Sequence, residues 1–233
     1  MNKMSFIDKI YSKKSINKIK EKIDLLGDDY KYTVRMVLNY RLLMTILIFV
    51  SFIVFVKNGY LYAPIIAFFT YFGMTYLMLD FPIKQRSIKL EHEAIFFFEI
   101  LELTLESGRT LSQALDITSK NVDGELSNEF KKTLEEVKLG KSLIEGLKSM
   151  RKRIPSDTIN NTILNITESS IFGSNIIESL NNQLEYLRNK RMMEIKGRIA
   201  KLPTQISVIS VIFFVPLLLL IILSPVILEF LLG

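Results

Sequence analysis

Three apolar runs stand out from an otherwise polar chain, at residues 42–56, 61–79 and 206–228. A helix needs about 20 mostly apolar residues to cross a bilayer. The second and third runs meet that length, whereas the first must extend back into residues 37–40 or cross a locally thinner bilayer. The intervening segment 57–59, Lys-Asn-Gly, is typical of a tight turn, so the first two runs form a helical hairpin. The pattern predicts three membrane-spanning helices.

Between residues 82 and 203 the apolar positions recur every three or four residues, which predicts helices and no strands. An N-terminal stripe with the same period ends at Gly27 and consists of Ile16, Ile19, Ile23 and Leu26. We interpret this stripe as the apolar face of a short amphipathic helix that lies on the membrane surface. The fold class is therefore all-α, in an integral membrane protein.

A short pattern occurs three times within residues 82–203, at intervals of 32 and 33 residues. Each copy has a Gly, then a Thr, Ser or Asn two positions later, then a Gln or Glu three positions further on. The three copies are Gly108, Thr110 and Gln113; Gly140, Ser142 and Glu145; and Gly173, Asn175 and Glu178. The Gly can end one helix in the left-handed conformation, and the two polar side chains can cap the start of the next. We interpret the copies as structural helix corners and not as binding loops.

Three corners imply six helices in residues 82–203. The predicted helices cover residues 91–107, 111–120, 126–139, 143–153, 155–171 and 176–203, and the last is expected to run directly into the third span. We expect the six helices to form one bundle.

The distribution of charge predicts the orientation in the membrane. Residues 1–41 carry ten Lys and Arg against five acidic residues, residues 82–201 carry nineteen against seventeen, and the short turn between the first two spans carries one Lys. Positively charged loops stay on the cytoplasmic side. We therefore expect the N-terminus and the six-helix bundle to be cytoplasmic.

This topology divides the chain into four parts. Residues 1–34 form a basic amphipathic segment, 35–81 the transmembrane hairpin, 82–203 the cytoplasmic bundle and 204–233 the C-terminal span. The excess basic residues flank the first and last spans, which favours membrane lipids with anionic headgroups over nucleic acid as a partner.

Candidate catalytic residues are scarce. The chain has no Cys, which excludes disulfides, thiol nucleophiles and thiolate metal sites, and its one histidine, His92, cannot build a metal site alone. Gly140, Lys141 and Ser142 look like the end of a phosphate-binding loop, but Glu135 stands where that loop requires a Gly. We predict no catalytic, metal or cofactor site, and no enzymatic activity.

An acidic helix face is the one candidate for partner docking. Glu99, Glu102 and Glu106 are spaced to lie on one side of the helix predicted at residues 91–107, within a stretch of five acidic residues. The face could dock a basic partner, and a merely solvated face is the alternative. In the spans, the only ionisable candidates are Asp80 and Glu229, both at span ends, which argues against a transporter or channel.

Three segments in order carry a family resemblance: LELTLESGRTLSQAL at residues 101–115, GKSLIEGL at 140–147 and ESSIFGSNIIESL at 168–180. Followed by a helix to Lys201, a break at Pro203 and a final span, they resemble the type II secretion F-domain family. These are the inner-membrane platform proteins of type II secretion, type IV pili and Tad pili. Secretion platforms carry two such domains in tandem, whereas this chain carries one, and in this it resembles the Tad branch.

The resemblance implies a non-enzymatic platform in the inner, cytoplasmic membrane. Such a platform would contact a cytoplasmic secretion or pilus ATPase and transmit its movement to pilin or pseudopilin subunits. A paralogous platform subunit or a second copy of the chain is a further implied partner. Two alternatives stay open: a membrane component of a transporter or channel complex, and a membrane-anchored sensor, scaffold or enzyme. The uncharged spans disfavour the first, and the absence of His, Cys and glycine-loop constellations disfavours the second.

Overall fold

The computed structural model describes residues 13–27, 30–56, 59–172 and 175–232, and within these ranges it is helical with no strand. This confirms the all-α prediction. The helices are α1 (Lys13–Asp24), α2 (Val34–Phe55), α3 (Gly59–Thr75), α4 (Phe81–Glu106), α5 (Leu111–Asn121), α6 (Glu125–Lys138), α7 (Leu143–Arg151), α8 (Asp157–Phe172) and α9 (Ile176–Leu232), with a π-helical turn at Tyr76–Asp80 between α3 and α4.

Three helical stretches in the described residues are long and apolar enough to cross a membrane: Val34–Phe55, Gly59–Glu106 and Ile176–Pro225. By length and composition, these three candidate membrane-spanning helices agree with the prediction of three spans. The first of these stretches, α2, starts at Val34, which supplies the length that the apolar run at residues 42–56 lacks. Helices α2 and α3 pack along each other as a hairpin, while Lys57 and Asn58 of the predicted turn lie outside the described residues.

The apolar stripe of α1 faces protein and not lipid. Ile19 and Leu26 are buried in a cluster with Val37 and Leu38 of α2 and with Leu79 of the π-helical turn. The expectation that this stripe lies on the membrane surface is therefore corrected. The stripe in the sequence marks a face that avoids water. In the structure, the start of the hairpin and the π-helical turn cover that face.

The first bundle helix begins earlier than the sequence predicts. The apolar pattern predicts a start near residue 91, but α4 begins at Phe81 and follows the π-helical turn without a non-helical residue. Pro82 lies at the start of α4, where a missing N–H is tolerated. In a regular helix the carbonyl of Met78 would accept from residue 82; here the hydroxyl of Tyr30 donates to it at 2.6 Å.

Helix α4 is the centre of the helical bundle, because it packs against α5, α6 and α8. Phe97 and Phe98 of α4 are fully buried, and the ring of Phe97 stacks on that of Phe130 in α6 with centroids 4.5 Å apart. Helix α8 contributes the fully buried Ile159 to the core. Leu126, Phe130 and Leu134, which recur at helical spacing within the helix predicted at residues 126–139, thus form the inner face of α6.

Contacts divide the chain into two compact units at the junction of Leu184 and Glu185. The first unit holds α1–α8 and the first turns of α9, in which Leu180 and Leu184 are fully buried. The second unit is the remainder of α9. A single six-helix cytoplasmic bundle stays a prediction, because its sixth helix divides between the two units.

Helix α9 continues through Pro203 to Leu232, which confirms the prediction that the last bundle helix runs directly into the third span; the break at Pro203 that formed part of the family resemblance is absent. The four predicted sequence parts, with boundaries after residues 34, 81 and 203, stay a prediction.

Candidate functional site

The first predicted corner joins α4 to α5 through a reciprocal pair of capping hydrogen bonds. The backbone N–H of Gln113 donates to Oγ1 of Thr110 at 3.4 Å, and the N–H of Thr110 donates to Oε1 of Gln113 at 3.3 Å. Gly108 has φ of +83°, a conformation that favours glycine. A Cβ on Gly108 would meet no atom within 4 Å, so the reason for glycine at this point is backbone conformation and not close packing.

The second corner repeats this geometry between α6 and α7. The N–H of Glu145 donates to Oγ of Ser142 at 3.2 Å, and the N–H of Ser142 donates to Oε2 of Glu145 at 3.3 Å. Gly140 has φ of +107°. Both corners satisfy helix-terminal N–H groups at the surface, which is a structural task.

In the third corner, the N–H of Glu178 donates to Oδ1 of Asn175 at 3.3 Å. Gly173 lies outside the described residues. A capping bond at the start of α9 is therefore observed, while the role assigned to Gly173 stays a prediction.

Two of the five acidic residues on α4 hold other helices in place. Oε2 of Glu93 accepts from the N–H of Leu126 at 2.9 Å, which caps the start of α6. Oε1 of Glu91 accepts from the hydroxyl of Ser156 at 2.7 Å, and that hydroxyl accepts from the N–H of Ile159 in α8. The acidic stretch seen in the sequence is thus partly internal scaffolding.

The other three acidic residues, Glu99, Glu102 and Glu106, lie along the C-terminal half of α4. Glu99 and Glu106 share one helix face with Phe96 and Leu103, whose side chains are 56% and 61% exposed. We name Phe96, Glu99, Leu103 and Glu106 the acidic–apolar face of α4. Sequence reasoning found its carboxylates but missed its exposed apolar residues, although their helical spacing was visible.

The densest polar cluster was not predicted, and it centres on Arg86 near the start of α4. Its side chain is buried, and its guanidinium donates to the carboxylates of Glu125 and Glu129 in α6. The same guanidinium donates to the carbonyl oxygens of Leu25 and Arg153, each at 2.7 Å. One side chain therefore ties together α4, α6 and the chain segments that follow α1 and α7.

Arg153 extends this cluster. It donates to Oε2 of Glu129 at 3.0 Å, to Oγ1 of Thr133 at 3.2 Å and to Oε1 of Glu136 at 3.4 Å. Glu129, only 3% exposed, thus lies between two guanidinium groups. We name Arg86, Glu125, Glu129, Glu136 and Arg153 the Arg86 network. A buried charge costs several kcal/mol in desolvation unless it is paired, and here every carboxylate is paired.

Cationic neighbours lower the pKa of two network carboxylates, Glu125 and Glu136. Burial raises the pKa of Glu125, but the hydrogen bonds and charges of Arg86 and Lys89 outweigh it, so the pKa of Glu125 is lowered. The hydrogen bond from Lys141 lowers the pKa of Glu136, and Arg153 adds to the effect. Glu125 and Glu136 are therefore ionised at neutral pH, and they pair with Arg86 and Arg153 respectively.

An open cavity of about 460 Å³ adjoins the network. Its lining mixes both signs of charge and consists of Arg86, Glu125, Asn128, Glu129, Lys131, Lys132 and Glu135. Within the described part of the chain, no group of three or more His, Cys, Asp or Glu side chains could hold a metal ion. The Arg86 network beside this cavity is suited to holding α4 and α6 in a fixed position relative to each other.

Sequence reasoning missed this network for a physical reason. Its partners are separated along the chain by 39 residues between Arg86 and Glu125 and by 67 between Arg86 and Arg153. One signal was available: Glu129 directly precedes Phe130 on the inner face of α6, where a carboxylate requires a buried partner.

A family model described as "Type II secretion system (T2SS), protein F" matches residues 97–224, more than half of the chain. The match begins within α4, includes α5–α8 and ends within α9. It therefore contains all three corners, whereas Arg86 and the hairpin precede it. No curated protein and no solved structure matches the chain.

Proposed function

The chain belongs to the type II secretion system protein F family, and we propose that it is the non-enzymatic inner-membrane platform that couples a cytoplasmic ATPase to assembly of a pilus or pseudopilus. The family consists of secretion and pilus-assembly platforms and is generally non-catalytic. Three membrane-capable helices agree with an inner-membrane protein. Interaction with components of the secretion machinery follows from the family, and the Tad subtype stays a prediction.

The observation that carries the proposal is the unbroken helical path from the hairpin into the bundle. Residues 59–106 run from α3 through the π-helical turn into α4 with no flexible linker. A displacement of the bundle is therefore passed to α3 through helix backbone. The proposed platform uses this path to transmit ATPase movement to pilin or pseudopilin subunits in the membrane.

The Arg86 network supports the same proposal. It lies where the helical path enters the bundle, and it joins that point to α6, to the end of α7 and to the carbonyl of Leu25. Because buried ion pairs have strict geometry, they resist rotation of α4 against its neighbours. Force applied at α6 or α7 then moves α4 as well.

The acidic–apolar face of α4 is the proposed ATPase-docking surface. Exposed Phe96 and Leu103 supply apolar contact area, while Glu99 and Glu106 select a basic partner surface. Glu102 lies beside this face. The proposed orientation has the N-terminus and residues 82–203 in the cytoplasm, where the ATPase is found.

A linker insertion tests the coupling. We would insert Gly-Ser-Gly between Asp80 and Phe81, and compare it with the same insertion at the exposed corner between Gly108 and Arg109. Both variants should co-purify with the ATPase encoded by the same assembly system, but only the insertion at Asp80 should abolish filament assembly. Normal assembly with that insertion would refute transmission along α4.

The docking surface is tested by charge reversal. Glu99→Lys with Glu106→Lys should abolish ATPase co-purification. Glu168→Lys with Glu185→Lys makes the same charge change at exposed sites elsewhere and should leave it intact. Equal retention in the two double variants would remove the acidic–apolar face from the proposal while leaving the coupling test unaffected.

A further inference from the structure

Helix α6 runs alongside α4 in the same direction. Glu93 of α4 accepts from the N–H of Leu126 at 2.9 Å, and four residues further along both helices the ring of Phe97 stacks on that of Phe130. Both contacts join residues that are 33 positions apart in the sequence. Because each residue of an α-helix adds about 1.5 Å of length, this constant offset places the end of α6 level with the end of α4.

Helix α8 runs in this direction as well. Glu91 of α4 accepts from the hydroxyl of Ser156, which directly precedes α8 and stands 65 positions later. Helix α7 ends near the start of α4, where the carbonyl of Arg153 accepts from Arg86. Since α8 packs against α7 after a short connection, it runs back toward the end of α4. The offset of 65 places Phe172, the last residue of α8, level with the end of α4.

The period of the corner pattern equals this packing register. The three copies of the pattern follow one another at intervals of 32 and 33 residues, and the offsets between the packed helices are 33 and 65. The ends of α4, α6 and α8, which directly precede the three corners, therefore lie at one level. We name the last turns of these helices, residues 103–107, 135–139 and 168–172, the corner end of the bundle.

The corner end exposes large apolar side chains. Leu139 is 88% exposed and Phe172 is 80% exposed, and each directly precedes the glycine of its corner in the sequence. Leu103, in the last turn of α4, is exposed as well. The corner itself does not require an apolar residue before the glycine, since Ser107 occupies that position in the first copy. Single exposed apolar residues are ordinary on protein surfaces, whereas several at one level indicate an interaction surface.

The membrane cannot cover the corner end. Glu106 follows the apolar run at residues 61–79 by 27 positions of continuous helix, or about 40 Å. Two copies of the chain cannot pair end to end through this surface either, because their hairpins would then point in opposite directions, whereas copies in one membrane share one orientation. The surface therefore fits a protein that lies outside the membrane, on the same side as the bundle.

We infer that the corner end is a second contact surface for the ATPase, with Leu139 and Phe172 as its apolar anchors; this inference rests on the proposed function. The corner end is continuous with the acidic–apolar face of α4, because Leu103 and Glu106 belong to both. Burying the exposed side chains against the partner removes apolar surface from water, while Glu106 selects the sign of the partner's charge. An ATPase bound at this end contacts three parallel helices at once and moves them together.

Serine substitutions test the anchors. The affinity of the full chain in a neutral detergent for the ATPase of the same assembly system would be measured by biolayer interferometry. Leu139→Ser and Phe172→Ser should each weaken binding roughly tenfold, the effect of losing one buried apolar side chain. Ile88→Ser, near the start of α4 at the opposite end of the bundle, is the matched control and should leave the affinity unchanged. Because Leu139 and Phe172 are mostly exposed, their substitution should leave the melting temperature unaltered.

Site-directed cross-linking gives a second readout. The chain has no Cys, so one introduced thiol places a photoreactive label at a single position. Leu139→Cys and Phe172→Cys, labelled with benzophenone maleimide, should cross-link to the ATPase on illumination, whereas labelled Ile88→Cys should not.

The outcomes separate this inference from the proposed function. Unchanged affinity in Leu139→Ser and Phe172→Ser, together with loss of affinity in the Glu99→Lys and Glu106→Lys double variant, would overturn the corner end alone. Absence of ATPase binding by the unaltered chain would overturn both. Cross-links between copies of this chain, in place of cross-links to the ATPase, would assign the corner end to a neighbouring copy that lies side by side, and would likewise overturn the inference.

Discussion

Replacing Arg86 by Met is the sharpest test of the Arg86 network. Arg86 makes four hydrogen bonds from a side chain that is only 6% exposed: two to carboxylates and two to carbonyl oxygens. Met has a similar length but no donor. The variant leaves Glu129 with Arg153 and Glu125 with Lys89, so neither carboxylate loses all its partners.

The magnitude follows from these remaining partners. Removing one member of a buried ion pair costs about 3–5 kcal/mol when the other charge is left alone. Because both carboxylates keep a cation, the lower end applies, and we expect about 3 kcal/mol. For a chain of this size, that corresponds to a lowering of the unfolding temperature by roughly 6–12 °C.

The assay is thermal unfolding of the full chain in detergent, followed by intrinsic tyrosine fluorescence. Arg109→Met is the matched control, because Arg109 is exposed at the first corner, and it should shift the midpoint by less than about 2 °C. Arg86→Lys should fall between the two, since an ammonium group keeps the charge but cannot reach four acceptors at once. A midpoint for Arg86→Met that equals that of Arg109→Met would refute a stabilising role for the network.

Hydrogen exchange adds a local readout. The bond from Arg86 to the carbonyl of Leu25 predicts that Arg86→Met speeds amide exchange in residues 13–27 more than in α8. Uniform acceleration across the first unit would mean that the network stabilises the bundle without holding the N-terminal segment.

Three further predictions concern single groups. Tyr30→Phe removes the donor to the carbonyl of Met78 and should lower the free energy of unfolding by about 1 kcal/mol. Tyr32→Phe, at an exposed neighbour, should leave the free energy of unfolding unchanged, and equal melting temperatures for the two variants would count against the hydrogen bond. Ser142→Ala removes the cap of α7 and should cost about 1 kcal/mol in denaturant unfolding, with Ser142→Asn restoring most of it; failure of that rescue would contradict the capping role. Because its pKa is lowered on folding, ionised Glu125 contributes stability that is fully present above the ordinary glutamate pKa of 4.5 and is lost as pH falls through the lower folded pKa. The melting temperature should therefore fall less steeply on acidification in Glu125→Gln than in the unaltered chain.

The features visible in the sequence were those encoded by neighbours along the chain. A cap such as that of Thr110 by Gln113 requires only residues three apart, and helical periodicity over residues 126–137 places the inner face of α6 without knowledge of its partner. Three long apolar runs are similarly self-evident. Each of these features follows from local geometry, which the order of residues contains.

The features that sequence reasoning missed depend on contacts between distant segments. The stripe of α1 showed which face is apolar, but not that Leu38 and Leu79 would cover it. Pro82 indicated a helix boundary, because it has no N–H to donate to the carbonyl of Met78. The donor that replaces this N–H comes from Tyr30, 52 positions earlier in the sequence. In the sequence, Arg86 is one of several basic residues near a span. Its four acceptors lie on segments that are distant along the chain.

The π-helical turn at Tyr76–Asp80 fixes the rotational phase of the bundle. Each residue in an α-helix advances the direction of the side chain by about 100°, and a π-helical turn accommodates one residue more than an α-helical turn. If the same residues formed a regular α-helix, the extra residue would therefore rotate every side chain of α4 by about 100° relative to α3. Arg86 would then point away from the carbonyl of Leu25, so loss of the π-helical turn alone would disconnect the N-terminal segment from the bundle.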